Sequence, residues 1–301
     1  MKNITPFLWF DNQAEEAVNF YVSIFDNSQV LGTVRYDKAG ALAAHVPEGA
    51  VMTMPFRIEG QTFTALNGGP IFKITPAISF FVYCETEEKI KRLWEKLSHN
   101  GTILMEFGEY PWSKQYGWVN DQYGVSWQLI VPDGTIEQII VPSLMFVGDV
   151  CGRAEEAINF YTSIFKNSSV KNIFRYGPDQ KPDKEGTIMY GDFRLNGQLF
   201  TTMDSAHEHA FTFTEAISFV INCESQEEVD HFWYKLSADP KSEQCGWLKD
   251  KFGVSWQIVP LRLGQLLSDP NPAKSKRVME AMLKMKKIDI TELEKAYAGD
   301  R

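Results

Sequence analysis

The chain is poor in the features that mark nucleic-acid binders, membrane spans and disulfide scaffolds. Thirty basic residues face 39 acidic ones, a formal net charge of −9. A phosphate backbone calls for a basic patch, and the chain offers only short basic runs such as KMKK at 284–287. That run sits at the end of a helical pattern, where basic residues suit the helix dipole. No apolar stretch approaches the ~20 residues that cross a bilayer. The opening MKNITPFLWFDNQAEEA has too short an apolar stretch, followed too soon by acid, for a signal peptide. The four cysteines, Cys84, Cys151, Cys223 and Cys245, form no CxxC pair. Cys84 and Cys223 sit at matching places in apolar runs, as small buried residues do. These absences predict a soluble, reduced, cytoplasmic protein with neither nucleic acid nor membrane as a partner. With 44% hydrophobic and 13% aromatic residues over 301 positions, there is material for one large core or two ordinary ones.

What is present is a long internal repeat. AEEAVNFYVSIFDNS at 14–28 recurs as AEEAINFYTSIFKNS at 154–168, identical at twelve of fifteen positions. RIEGQTFTAL (57–66) answers RLNGQLFTTM (194–203), and AISFFVYCE (77–85) answers AISFVINCE (216–224). GWVNDQYGVSWQLI (117–130) returns as GWLKDKFGVSWQIV (246–259). The spacing falls from 140 to 129 because copy two has only ADPKSE against NGTILMEFGEYPWSK of copy one. At this spacing the repeated object is a whole domain. Pro, Asp and Gly in VPDGTIEQI place the boundary near 140–142, giving expected domains 1–141, 142–261 (with a trimmed second half) and a tail 262–301.

Periodicity orders each copy. ITPFLWF (4–10) is a bounded apolar run and reads as a strand. Ala17, Phe20, Tyr21, Ile24 and Phe25 then recur at helical spacing behind Glu15 and Glu16. Extended segments follow at 29–36, 51–58 and 61–67, the last two joined by a turn at Glu59–Gly60. The cycle restarts with a strand at 77–84 and an amphipathic helix at 86–97, with Ile90, Leu93, Trp94 and Leu97 on its apolar face. In DQYG (121–124) and DKFG (250–253), Asp first and Gly last suit a tight turn before the final strand. That strand puts Trp127 toward the helices and Gln128 on the opposite, concave face. Each copy therefore reads as β-α-β-β-β twice. In the tail, Ser268 or Asp269 is a candidate cap, Val278, Met279, Met282 and Leu283 form a helical stripe, and IDITELEKAYAG reads as a short helix.

PFLWFDNQAEEAVNFYVSIF, GQTFTALNGG, AISFFVYCE and GWVNDQYGVSWQ resemble the vicinal-oxygen-chelate superfamily of glyoxalases, bleomycin-resistance proteins and dioxygenases. They are most similar to its PhnB-like branch, catalogued as 3-demethylubiquinone-9 3-methyltransferase. The resemblance implies an α+β fold of tandem glyoxalase-like domains, each built from paired β-α-β-β-β modules in a half-open barrel, plus C-terminal helices. It also implies an intramolecular pseudo-dimer of the two copies and leaves a further homodimer open.

The methyltransferase label finds no residues to carry it. S-adenosylmethionine is usually held at a Gly-rich turn after a first parallel strand; here that strand runs into DNQAEE, and the NGG at 67–69 precedes Pro70. Metal-using members of the superfamily place His on opening strands and Glu on closing ones. The opening strands here offer only Glu215 beside the run 216–223, and the closing positions hold Gln128 and Gln257, neutral amides that are weak ligands and no general base. The expectation is no metal and no cofactor, with His207 and His209 in HEH as a weak metal alternative lacking further ligands. His45, His99 and His231 are scattered. No G-x-S-x-G motif or activated cysteine offers a nucleophile. Glu106, Glu109 and Trp112 read as a solvated loop or a lid.

The expected function is metal-independent binding of a small molecule in a concave apolar cleft. Gln128, Trp118 and Asn67, with their counterparts Gln257, Trp247 and Asp204, are the candidate ligand-binding residues. Asn67 and Asp204 have a second reading as posts at strand–loop junctions. The alternatives are an enzyme of lyase, isomerase or dioxygenase type with its active cleft in copy one, or clefts filled by side chains.

Overall fold

The computed structural model describes residues 4–36, 41 and 46–299. His45, named above, lies outside the described residues. The described residues form two compact bodies, Pro6–Ile217 and a second made of 218–299 with Ile4 and Thr5.

In the larger body, β1 (Thr5–Phe10) leads into α1 (Ala14–Ile24). Two short strands follow, β2 (Gln29–Val30) and β3 (Val34–Arg35), then β4 (Val51–Ile58) and β5 (Gln61–Asn67). β5 runs parallel to β1 and antiparallel to β4, on which β2 and β3 pair. The β4–β5 turn has both central residues at positive φ, Glu59 at 48° and Gly60 at 78°, the geometry that matches strand twist in a two-residue hairpin.

A second sheet holds the remaining strands of this body. Its elements are β6 (Ile78–Tyr83), α2 (Glu87–Ser98), β7 (Thr102–Tyr110), β8 (Ser113–Asn120) and β9 (Ser126–Ile130). They continue with β10 (Ile140–Phe146), α3 (Ala154–Ile164), β11 (Ser169–Arg175), β12 (Ile188–Leu195) and β13 (Gln198–Asp204). The strand order is β11-β12-β13-β10-β6-β9-β8-β7. At its centre β6 lies antiparallel to β10, with Ser79 opposite Ser143 and Phe81 opposite Val141. The second module of copy one thus shares a sheet with the first module of copy two. Gln138 pins this junction: its amide donates to the Ile140 carbonyl and accepts from the Leu199 N–H.

Trp127 sits at the heart of the core, wholly buried, with Tyr21, Phe25 and Phe80 rings 5.2–5.5 Å away. Asp121 explains why GW..D..GVSWQ repeats. Its carboxylate accepts from Trp127 Nε1 (2.8 Å), Tyr21 Oη (2.7 Å) and the N–H groups of Tyr123 and Val125. The turn, the indole and α1 are fixed by one side chain, and Gly124 closes the turn at φ +86°. The patch expected as a loop or lid is strand: Glu106 and Glu109 lie in β7, and Trp112 stands exposed in the β7–β8 turn, stacked on Tyr110. Edge pairing with β8 outweighs the Gly and charges that argued for a loop.

In the smaller body, β14 (Ile217–Cys223) runs parallel to β16 (Ser255–Pro260), and β15 (Trp247–Lys249) pairs antiparallel with β16. α4 (Gln226–Leu236) connects them, and no counterpart of β7 exists among the described residues, in keeping with the trimmed copy. Asp250 repeats the Asp121 arrangement, accepting from Trp256 Nε1 and the N–H groups of Phe252 and Val254. The tail forms α5 (Leu261–Leu267), α6 (Pro272–Met282) and α7 (Ile290–Ala298), which enclose Leu263, Leu266, Val278, Ile288 and Leu293. Three details differ from the sequence reading. Asn271, not Ser268 or Asp269, caps α6, because Pro272 fixes the first helical position. Leu283 lies outside the helical stripe and is exposed. KMKK lies beyond the helix: the Met285 and Lys286 carbonyls accept from Cys245 and Gly246 N–H, and Lys286 and Lys287 pair with Glu243 and Asp230. No helix among the described residues is long and apolar enough to cross a membrane.

Candidate functional site

The second sheet has two faces of different character. Gly117 and Gly191 look toward the helices: a methyl at Gly117 would lie 2.5 Å from the Trp94 ring of α2, and one at Gly191 would lie 3.1 Å from Ile158 of α3. By the two-residue alternation of strands, Tyr116, Trp118 and Asp192 take the other face. Register carries this face across the sheet: Asp192 lies opposite Thr201, Thr201 opposite Ser143, and Ser143 opposite Ser79.

Gln128 closes the row. Its Oε1 accepts from Tyr116 Oη at 2.6 Å, and its Nε2 donates to Ser79 Oγ at 2.8 Å. It is 2% exposed, a buried clamp in the floor of the face, more enclosed than a strand-end ligand group would need to be. Trp118, in register with Gln128, is half-buried and donates from Nε1 to Ser126 Oγ. Phe81, Tyr116, Val141 and Leu199 pack together, with Tyr83, Met105, Tyr110, Trp118 and Ile130 half-buried around them. Burial pushes the Tyr116, Tyr83 and Tyr190 phenols up, so they are neutral at physiological pH and act as hydrogen-bonding groups. Tyr190 meets Phe81 edge-on at 6.5 Å.

In the smaller body, Gln257 Nε2 likewise donates to Ser218 Oγ (3.0 Å), and Trp247 lies in register with Gln257. Cys245 stands where copy one has Tyr116, so this amide lacks the phenol clamp.

Asn67 and Asp204 serve the strand–loop junctions. Asn67 Oδ1 accepts from the Ala14 N–H that opens α1, where Gln13 provides no cap, and its Nδ2 donates to the Val51 carbonyl. Asp204 accepts from the N–H groups of Gly152, Ala154 and Ile188. Burial raises its pKa despite those three bonds.

The residues on the Gln128 face do not suit a divalent ion. Ser79, Gln128, Ser143 and Thr201 are neutral, Asp192 adds a single carboxylate where a divalent ion needs several converging ligands, and the two polar atoms of Gln128 are already engaged. His207 and His209 lie in a loop, rings 6.5 Å apart; His209 bonds Ser205 Oγ, and His207 stands 3.7 Å from Asp183. Among the described residues no three His, Cys, Asp or Glu side chains gather as metal ligands. Burial pushes the Cys84 thiol up to about 12, a setting for packing rather than nucleophilic attack.

The comparisons with known proteins meet this geometry. The model of the family described as 3-demethylubiquinone-9 3-methyltransferase matches residues 2–130 and again 138–259. The chain belongs to that family, twice over. A Bacillus cereus PhnB protein is 46% identical over 43% of this chain and 99% of its own, with a TM-score of 0.40. A Staphylococcus aureus protein is 34% identical over 43% of this chain and 96% of its own, TM-score 0.18. Glyoxalase I from Zea mays covers 86% of this chain and 92% of its own at 12% identity and TM-score 0.52, a likeness of fold. No curated protein is significantly similar. The α+β glyoxalase-like architecture is therefore established.

Sequence reasoning missed Ser79, Tyr83, Tyr116, Tyr190 and Asp192. Only the pairing of β6 with β10, which joins the two copies, brings them to one face. One signal was available for Asp192: in the aligned copies it stands opposite Pro55.

Proposed function

We propose that this protein binds a small, largely apolar aromatic molecule on the Gln128 face of the second sheet, without a metal-centred reaction. The neutral clamp Tyr116–Gln128–Ser79 carries this reading, because it occupies the place where superfamily enzymes need a charged ligand. Tyr83, Trp118 and Tyr190 offer half-buried aromatic surface, and rings with a polar edge suit planar ligands. The methyltransferase description lacks a nucleotide-binding turn: α1 opens on Asp11–Asn12–Gln13, and its first N–H is taken by Asn67. Because the modules of the two copies share a sheet, one chain supplies both halves of this face; a monomeric mass in light scattering is the expected readout.

The test uses 1-naphthylmethanol as a neutral aromatic probe in ligand-observed NMR titration. Saturable binding is expected, with loss in Tyr83→Ala and Trp118→Ala at a temperature where thermal unfolding shows each variant still folded. Equal binding by those variants removes the site. Elemental analysis checks the metal: a stoichiometric divalent ion that survives chelator treatment overturns the metal-independent reading.

A further inference from the structure

Among the described residues, Asp192 is the one carboxylate on the Gln128 face that the fold leaves half-used. It is 6% exposed. Its Oδ2 accepts from Asn172 Nδ2 at 3.1 Å, and its Oδ1 is buried with no hydrogen-bond partner. A buried carboxylate oxygen without a donor is costly and calls for an occupant. Neighbouring cations do not serve it: Lys171 and Arg194 both pair with Glu137.

The other copy shows that the strand pair does not need this residue. Aligned copies place Asn172 and Asp192 against Gly32 and Pro55. Those two sit side by side in the structure as well, a methyl on Gly32 lying 3.8 Å from Pro55 Cγ. The same hairpin thus forms with an apolar pair in one copy and an amide–carboxylate pair in the other. A requirement of folding would be common to both.

Around Asp192 the face is aromatic. Phe174 and Tyr190 rings lie 6.2 Å apart, Tyr190 reaches Phe81, and Phe81 stacks on Tyr83 at 5.9 Å. Aromatic faces beside a carboxylate are the pairing that selects a protonated nitrogen, through cation–π attraction on the rings and a charge-assisted hydrogen bond to the oxygen. We propose that the ligand of this face is an aromatic or apolar molecule bearing a protonated amine or amidine, and that Asp192 Oδ1 receives its N–H. This rests on the binding site proposed above and names the chemistry it selects.

The experiment compares 1-naphthylmethylamine, protonated at neutral pH, with the isosteric 1-naphthylmethanol, by NMR titration of the full-length protein. The amine is expected to bind about tenfold more tightly, the worth of one charge-assisted hydrogen bond. In Asp192→Asn the preference for the amine over the alcohol is expected to vanish. Asp192→Ser provides a second variant, and thermal unfolding checks that both fold as the Pro55 pair suggests. If amine and alcohol bind wild type equally, the amine preference is wrong and the cleft stands. A preference that persists in both variants removes Asp192 as its source. If neither probe binds wild type, this inference and the proposed site fall together.

Discussion

Asp121 offers a quantitative test of how this fold is held. Its carboxylate is almost wholly buried and accepts four hydrogen bonds, from Tyr21, Trp127, Tyr123 and Val125. Those bonds favour the charged form, but desolvation is the larger effect and pushes the carboxyl up to about 6. In the unfolded chain an Asp titrates near about 3.9. Between these values the folded protein holds a proton that the unfolded chain has released. Asp121 therefore favours folding most below about pH 4, and that contribution is lost as pH rises through about 6. A difference of about two pH units corresponds to roughly 3 kcal/mol.

Asp121→Asn isolates this effect. The amide oxygen still accepts from the Tyr123 and Val125 N–H groups, and the new NH2 can donate to Tyr21 Oη. It also faces Trp127 Nε1–H donor to donor, an orphaned buried donor that costs about 1–3 kcal/mol. That cost is the same at every pH, whereas the proton-linked part is absent from the variant. Urea unfolding at pH 4, 5, 6 and 7 gives the stability difference between wild type and variant, in which titration of the other carboxylates cancels. The wild-type advantage should shrink by roughly 3 kcal/mol from pH 4 to pH 7. A difference that stays constant over this range would refute the assignment of Asp121 as the buried, proton-retaining group.

Three further outcomes are expected. Gln128→Ala leaves Tyr116 Oη and Ser79 Oγ without their partner and should cost about 2 kcal/mol in urea unfolding; a neutral result would mean the clamp is not formed. Lys89 reaches the buried Glu59 carboxylate at 2.8 Å, so Lys89→Met should destabilise by about 3 kcal/mol. Adding Glu59→Met should restore most of that loss; a purely additive double mutant would deny the pairing. Gly246 has φ +88°, and a methyl there would lie 2.9 Å from the Ile258 carbonyl oxygen. Gly246→Ala should therefore lower stability by about 1–3 kcal/mol, measured by thermal unfolding.

Much of this was legible because local chemistry fixed it. The turn at Glu59–Gly60, the DQYG turn and the burial of Trp127 follow from patterns spanning a few residues. The partner of β6 was not legible. ISFFVY and IVPSLMF are nearly continuous apolar runs, lacking the alternation that marks a strand's two faces and narrows its neighbours. Ser79 and Ser143 look like minor breaks in those runs until β6 and β10 are paired. The candidate site suffered from the same gap: Gln128 was visible in its motif, but Tyr116 and Ser79, which consume its polar atoms, were not.

The duplicated sequence sorts the residues of the site by what the two copies share. Asp121 and Asp250 hold Trp127 and Trp256 in the same way, and Gln128 and Gln257 each bond a serine on the neighbouring strand. Features present in both copies are accounted for by packing, turns and buried hydrogen bonds. The differences need another cause. Tyr116 faces Cys245, Tyr83 faces Asn222, and the Asn172–Asp192 pair faces Gly32–Pro55. Tyr116, Tyr83 and Asp192 all lie on one face of one sheet, although two of them belong to copy one and the third to copy two. Residues dispensable to the repeated fold converge there because the copies interleave, and that convergence, more than the repeated glutamine, is what supports the proposed binding face.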